Sequence, residues 1–294
     1  VTTLAPEAIA TGPEPVIITE PGIYGIPNDV YHADRTSLSS TGARKLLSST
    51  PAQFRYDLDH PEPPKKAFDI GTAAHRLVLG DGPELILVDH LMWNTKQAKA
   101  EVAAAREAGA VPLKREDWDQ VHAMAAELRR HPLAAALFDT DYGKPEQSLF
   151  WTDKTTGVPC RARLDWLDNA RGGRLLLPDL KTAINASTAK FEKAVLDHRY
   201  DQQADHYTDG VLQLGLADEV SFLFVVQEKQ PPYPVNVIEL ATPWLQMAAE
   251  RNRRAREIYA ECTESGVWPG YKAEVAMASA PDWLLTMHER EYRL

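Results

Sequence analysis

Cysteine is almost absent from this chain: its 294 residues include two, Cys160 and Cys262. A zinc or iron–sulfur centre held by four thiolates is therefore excluded within one chain, so no iron–sulfur cluster is expected. Two cysteines do not make a disulfide scaffold either, and a reducing, cytoplasmic setting is the expectation. Long apolar runs are also missing. The strongest, such as 222–226, fall far short of the ~20 residues that span a bilayer, so no membrane partner is expected. The first residues lack a basic stretch followed by an apolar one, so no secretory leader is expected. Neither familiar spacing of a glycine-rich phosphate loop occurs, which argues against nucleotide-driven motors and dinucleotide enzymes. An excess of positive charge is missing too. The net charge of −10 argues against non-specific coating of nucleic acid, though it leaves room for a local basic channel around an acidic site.

What is present is an ordinary globular composition, 44% hydrophobic and 25% charged, with enough chain for one elaborated domain. Residues 1–22, punctuated by Pro6, Pro13, Pro15 and Pro21, read as an extended arm, and 23–294 as one domain. Ser39, Ser40 and Thr41 stand before the apolar run 43–47 as a helix cap would. Residues 53–58 suggest another helical turn, and Pro61, Pro63 and Pro64 a loop. Phe68, Gly71, His75 and Val78 or Leu79 recur at three- and four-residue steps, which predicts a helix over 68–79. A short strand is expected over 84–88. Helical text over 96–108 and 115–130 marks a helical insertion at about 92–132. The period then changes. Strands are predicted over 146–152, 160–167 and 174–181, with turns at 155–157 and 169–173, as a three-stranded meander. Helices over 187–196 and 201–214, strands over 219–227 and 235–240, and a long helix over 244–261 complete the pattern. The fold class expected is α/β, a mixed central β-sheet flanked by helices.

The chemistry concentrates in 146–181. Asp165 shares a strand face with Arg161 and Arg163, while Ala162, Leu164 and Trp166 face the other way. Asp179 and Lys181, two apart, leave one face of the next strand, with Leu180 between them directed into the core. If those strands pair through the 169–173 turn, Asp165 and Asp179 converge. Two close carboxylates repel one another unless a cation or proton intervenes, and hard oxygen ligands suit Mg²⁺ or Mn²⁺. Most Asp-x-Lys triplets on strands are solvated faces, so the surroundings matter. Gly71 would let its helix approach the sheet and bring His75 to the carboxylates. Gln203 and Tyr207 share a helix face. Lys65 with Lys66, Lys96 with Lys99, Lys114 with Arg115, and above all Arg161 with Arg163 are candidates to neutralise phosphates. Ser39 and Ser40 are either a simple cap or phosphate contacts at a helix start. Arg251, Arg253, Arg254 and Arg256 form a dense cluster that is either a solvated helix face with Glu250 and Glu257 as partners, the reading preferred, or a further phosphate-neutralising group.

In order, Gly71-x-x-x-His75, Glu146, Asp165, Asp179-x-Lys181 and Gln203-x-x-x-Tyr207 resemble the PD-(D/E)xK nuclease superfamily, and within it the RecE-like branch. The text from Tyr31, Ala67, Cys160, Asp179 and Tyr200 looks like that of phage and prophage RecE-type exonucleases (exonuclease VIII). The resemblance covers roughly residues 23–240 and fades beyond. It implies a Mg²⁺-dependent exonuclease on double-stranded DNA ends, with Mn²⁺ able to substitute. Digestion would run 5′→3′ and leave 3′ overhangs for recombination by a RecT-type single-strand annealing protein. It also implies a ring-shaped homo-oligomer. Carried over, Asp165 and Asp179 are the metal carboxylates, Lys181 the catalytic lysine, and His75 the histidine near the metal. The Leu180 carbonyl completes the metal shell, and Gln203 and Tyr207 are supporting residues. Glu146 matches the acidic residue of the preceding strand, though Gln147 and Ser148 leave its register open. The rivals are an endonuclease of the same superfamily and a non-catalytic module that binds DNA ends.

Overall fold

The computed structural model describes residues 17–60 and 70–292. The proline-rich arm up to residue 16, the loop prolines 61–64, Lys65, Lys66 and Phe68 lie outside the described residues. In chain order the elements begin with β1 (Gly22–Tyr24), α1 (Asn28–Ala33), β2 (Leu38–Ser39), α2 (Ser40–Ser48), α3 (Pro51–Asp59) and α4 (Ile70–Leu79). The next segment carries β3 (Leu85–Leu87), α5 (Lys96–Glu107), β4 (Val111–Leu113) and α6 (Arg115–Arg130), and α7 (Pro132–Leu137) follows it. The central part is β5 (Gly143–Thr152), β6 (Pro159–Asp168), β7 (Arg174–Ala183), α8 (Thr188–His198), α9 (Tyr200–Gln213), β8 (Glu219–Glu228) and β9 (Val235–Glu239). Helices α10 (Thr242–Ser265) and α11 (Asp282–Tyr292) end it.

Local chemistry sets many boundaries. Ser39 caps α2 by accepting from Gly42 N at 3.1 Å, and Thr50 caps α3 with Pro51 as its first residue. Thr95 caps α5. The β5–β6 turn is held by Asp153, whose Oδ1 accepts from Thr156 N at 2.8 Å, while Gly157 supplies φ 71°.

The fold is mixed α/β, with helices on both faces of the strands, as expected. The predicted meander is corrected. β5 and β6 form an antiparallel ladder, but β6 and β7 do not. One ladder runs β1-β5-β6-β2 and another β7-β8-β9, with β7 parallel to β8, while β3 and β4 form a small parallel pair. The reason lies in the turn. Gly172 and Gly173, both at positive φ, bond to the segment before β8 and not back across a hairpin: Gly172 N donates to Leu216 O and Gly173 N to Asp218 Oδ2. β2 covers only Cys160 and Arg161 of β6. β7 runs alongside β6, joined by a side-chain bond described below.

Helices α2, α9 and α10 pack on one face, around a core that includes Leu149, Trp151, Ala162, Leu177 and Phe224. α4, α6 and α7 cover the other, around Leu79, Leu128, Phe138, Trp166, Leu180 and Val225. Gly210 lets α9 lie against β5. A Cβ there would fall 2.8 Å from the Trp151 ring, so only glycine permits the approach that brings Gln203 and Tyr207 over the strands.

Candidate active site

The β5–β6 ladder pairs Pro145 with Trp166 and Gln147 with Leu164 and is interrupted at the intervening Glu146, which leaves Glu146 on the stretch facing Asp165. Two carboxylates facing one another across an antiparallel pair are destabilising, and here the backbone is strained as well, because Glu146 has φ 52°. Burial, then the charge of Asp165, raises the Glu146 pKa. Burial, then Asp179, raises that of Asp165. Arg163 compensates in part: its Nε meets Glu146 Oε2 at 2.6 Å, and its Nη1 donates to Ser148 Oγ and Ile26 O.

His75 reaches this pair from α4. Its ligand atom and those of Glu146 and Asp165 all lie within 4.8 Å of one another. His75 Nε2 stands 2.7 Å from Leu180 O. A carbonyl only accepts, so Nε2 carries a proton, and in the neutral ring Nδ1 keeps its lone pair. Nδ1 lies on the Asp165 side, 3.7 Å from Oδ2. The same Asp165 Oδ2 accepts from Leu180 N at 2.7 Å. The Leu180 peptide is thus held from both sides, by β6 through its N–H and by α4 through its C=O. This bond joins β6 to β7 where a ladder was expected.

Asp179 was expected to share the metal with Asp165, yet it stands outside the three-residue group. Its Oδ1 accepts from Gln203 Nε2 at 2.6 Å, and its Oδ2 lies 2.5 Å from Lys181 Nζ. Burial works against the Lys181 ammonium, but Asp179 and Asp165 outweigh it and raise its pKa. Gln203 therefore acts on Asp179 directly. Tyr207, one turn along α9, lines a neighbouring cavity, and burial raises its phenol pKa.

Two cavities flank these groups. One, of about 890 Å³, includes His75, Glu146, Leu180, Lys181 and Tyr200 in its wall. The other, of about 610 Å³, shares Glu146 and Arg163 and adds Asp165 and the start of α2 (the cap Ser39 and Ser40) with Arg35 and Lys45. Ser39 Oγ is used as the helix cap, whereas Ser40 Oγ is buried without a partner. Arg161 faces this second cavity too, but it is buried and bound to Asp34 at 3.1 Å and to the Ser37 carbonyl. It holds the loop before β2 in place. The α10 arginines are paired: Arg251 with Asp201, Arg253 and Arg254 with Glu257, and Arg256 with Asp209 and Asp153.

The sequence reading missed three contributors: Arg163 as the partner of Glu146, Asp34 as the anchor of Arg161, and Tyr200 beside Lys181. Alternation along β6 places Arg163 on the face of Asp165, so that contact had a signal. Asp34 had none, since it joins segments more than a hundred residues apart.

The nitrogen and oxygen donors of His75, Glu146 and Asp165, with no thiolate, suit a hard divalent cation. The Leu180 carbonyl has a second lone pair free for the same purpose. No helix among the described residues is long and apolar enough to cross a membrane.

Residues 39–280 match a family described as a PDDEXK-like domain of unknown function (DUF3799). A comparison with curated protein sequences finds no match. Among solved structures, a protein of Eubacterium rectale described provisionally as an exonuclease is similar at 14% identity and TM-score 0.56, over 90% of this chain and 98% of that one. An alkaline exonuclease from Laribacter hongkongensis matches at 15% identity over 67% of this chain and 94% of that one, with a TM-score of 0.26. At such identities the first likeness is one of fold, and the second is too distant to carry an argument.

Proposed function

The chain belongs to this family of PDDEXK-like domains, and from that premise we propose that it is a divalent-metal-dependent DNA nuclease. We read it as an exonuclease that degrades linear duplex 5′→3′ and leaves 3′ overhangs. One observation carries the reading: His75, Glu146 and Asp165 converge within 4.8 Å beside the Asp179–Lys181 pair, with His75, Glu146 and Lys181 in the wall of an open cleft.

His75 Nδ1, Glu146 and Asp165 would hold the ion, Mg²⁺ by preference and Mn²⁺ in substitution, with the Leu180 carbonyl as a further donor. When bound there, the ion supplies Lewis acidity toward a phosphate oxygen and toward water. The chain does the rest. Lys181 is held as an ammonium by Asp179, so it donates hydrogen bonds: to the attacking water, which it orients, and to the phosphate, whose developing charge it offsets. An ammonium cannot take the water's proton. Carboxylates that hold the ion are not free to take it either, so that proton leaves to solvent through the open cleft. Gln203 fixes Asp179, and through it Lys181. The start of α2, with Ser40, Arg35 and Lys45, offers a place for a backbone phosphate next to the carboxylates.

The test is digestion of linear duplex labelled separately at its 5′ and 3′ ends, in Mg²⁺, Mn²⁺ or EDTA, with a closed circle and Asp179→Ala alongside. Metal-dependent loss of the 5′ label from linear DNA alone is the expected result. Cutting of the circle would make the protein an endonuclease. Intact DNA in both metals, with tight binding to ends, would make it an end-binding module. A RecT-type annealing protein is the proposed recipient of the overhang. A ring-shaped homo-oligomer is proposed to retain the duplex, and sedimentation of the full chain checks it.

A further inference from the structure

The Lys181 ammonium meets an aromatic ring as well as the Asp179 carboxylate. The ring is that of Tyr200, whose centroid is 5.1 Å from Nζ. Tyr200 opens α9, immediately after Arg199, which takes the left-handed conformation at φ 55° and so reverses the chain between α8 and α9. The α8 end of that turn is tied down by Arg44, whose Nη1 donates to the carbonyl of His198 at 2.5 Å. The ring is held by other rings. It stacks on Phe191 at 5.8 Å with an interplanar angle of 18°, and it packs on Phe224 at 5.8 Å. Phe191 and Phe224 are themselves core residues. Tyr200 and Lys181 together wall the 890 Å³ cleft on one side and a cavity of about 410 Å³ on the other, so the pair forms the divide between the two.

We propose that Tyr200 is a positioning residue for Lys181: its rigid ring face holds the ammonium at the cleft wall, in the place from which it meets water and phosphate. This rests on the nuclease reading and extends it. A lysine reaches its charge through four rotatable bonds, and one carboxylate does not fix such a stem. A cation over an aromatic face gains from the ring quadrupole, most of all where water is partly excluded. Lys181 is such a case, with a side chain 20% exposed. The ring acts through its face and not through its hydroxyl, so phenylalanine should replace it and leucine should not.

The experiment compares Tyr200→Phe, Tyr200→Leu, Lys181→Ala and the double variant Tyr200→Leu/Lys181→Ala for duplex digestion, with thermal melting to confirm folding. Expected are near-normal turnover for Tyr200→Phe and about a tenfold fall in kcat for Tyr200→Leu at unchanged KM for DNA. In the Lys181→Ala background Tyr200→Leu should cost nothing more. A second readout does not depend on activity. In reductively ¹³C-methylated full-length protein, the Lys181 methyl signal, assigned with Lys181→Arg, should be displaced by the ring in wild type and Tyr200→Phe and should return toward the bulk lysine position in Tyr200→Leu. An undisplaced wild-type signal, or equal damage from Phe and Leu, overturns the proposal. A displaced signal in a wild-type protein that digests no DNA in Mg²⁺ or Mn²⁺ leaves Tyr200 in its place and overturns the nuclease reading instead.

Discussion

Neutralising Asp165 should make the protein more stable while it abolishes turnover. Asp165 and Glu146 face one another across β5 and β6 with ligand atoms within 4.8 Å. Two unit charges at that distance repel by about 3.5 kcal/mol at an effective dielectric of ~20. Burial and the charge of Asp179 raise the Asp165 pKa, and attraction from His75 and Lys181 with the Leu180 N–H bond returns only part of the cost, so it lies above its ordinary value. A carboxyl raised in the folded state binds its proton more tightly there than in the unfolded chain. Its contribution is therefore intact at acid pH and is lost as the pH climbs through the folded pKa. At neutral pH the ionised Asp165 is thus a net cost to the folded state. Asp165→Asn keeps an acceptor for Leu180 N and removes the charge. Its melting temperature in EDTA near neutral pH should exceed that of wild type, by roughly 2–4 °C for each kcal/mol of repulsion relieved. The gain should shrink as the pH is lowered and the wild-type carboxyl takes up its proton. Divalent ion should reverse the ranking. At about 100 times its dissociation constant a ligand adds ~2.7 kcal/mol to the protein that binds it, and Asp165→Asn should gain little. The assay is a set of melts across pH with EDTA or Mg²⁺. An Asp165→Asn protein that melts at or below wild type in EDTA at every pH would refute the account of this carboxylate pair.

Three further outcomes follow from the same geometry. Gln203→Ala strips the buried Asp179 carboxylate of its 2.6 Å donor; urea titration should show a loss of about 1–3 kcal/mol, and kcat should fall with it as Asp179 loosens its hold on Lys181. Gly210→Ala forces a Cβ to 2.8 Å from Trp151 and should cost about 1–3 kcal/mol in the same titration. His206, fully buried with Nε2 bonded to the Arg161 carbonyl, is pushed down to about 4 by burial. The unfolded chain therefore takes up that proton first as the pH falls, and stability should drain away between about pH 6.5 and 4. In His206→Gln the stability curve over that window should be flatter than in wild type.

The elements were legible because their signals are local. The cap at Ser39, the 3.6-residue period over α4 and α6, and the alternation along β6 each predict what forms. The order His75, Glu146, Asp165, Asp179, Lys181, Gln203, Tyr207 was legible too, and the fold brings all of these around two adjoining cavities. What was not legible depends on distant pairing. The turn at 169–173 reads the same whether it closes a hairpin or hands the chain on to a parallel partner forty residues later. The strained φ of Glu146 leaves no trace in a residue type that usually avoids it. The two-residue β2 and three-residue β1 are too short to show a period and exist only because β6 and β5 offer edges. α11, with no buried residue, lacks the one-sided pattern that a packed helix shows.

Leu180 serves the core and the site at once. Its side chain lies wholly inside the core beneath α4, α6 and α7, among Leu79, Phe138, Trp166 and Val225, while its peptide is the link between His75 and Asp165. Core volume is thereby a variable of the chemistry. A methylene added or removed under β7 shifts a backbone unit to which two candidate ligands are attached. Variants selected for tighter packing of that layer should thus alter ion affinity without touching any polar residue, and the amide of Leu180 should be among the slowest in the chain to exchange its hydrogen with solvent.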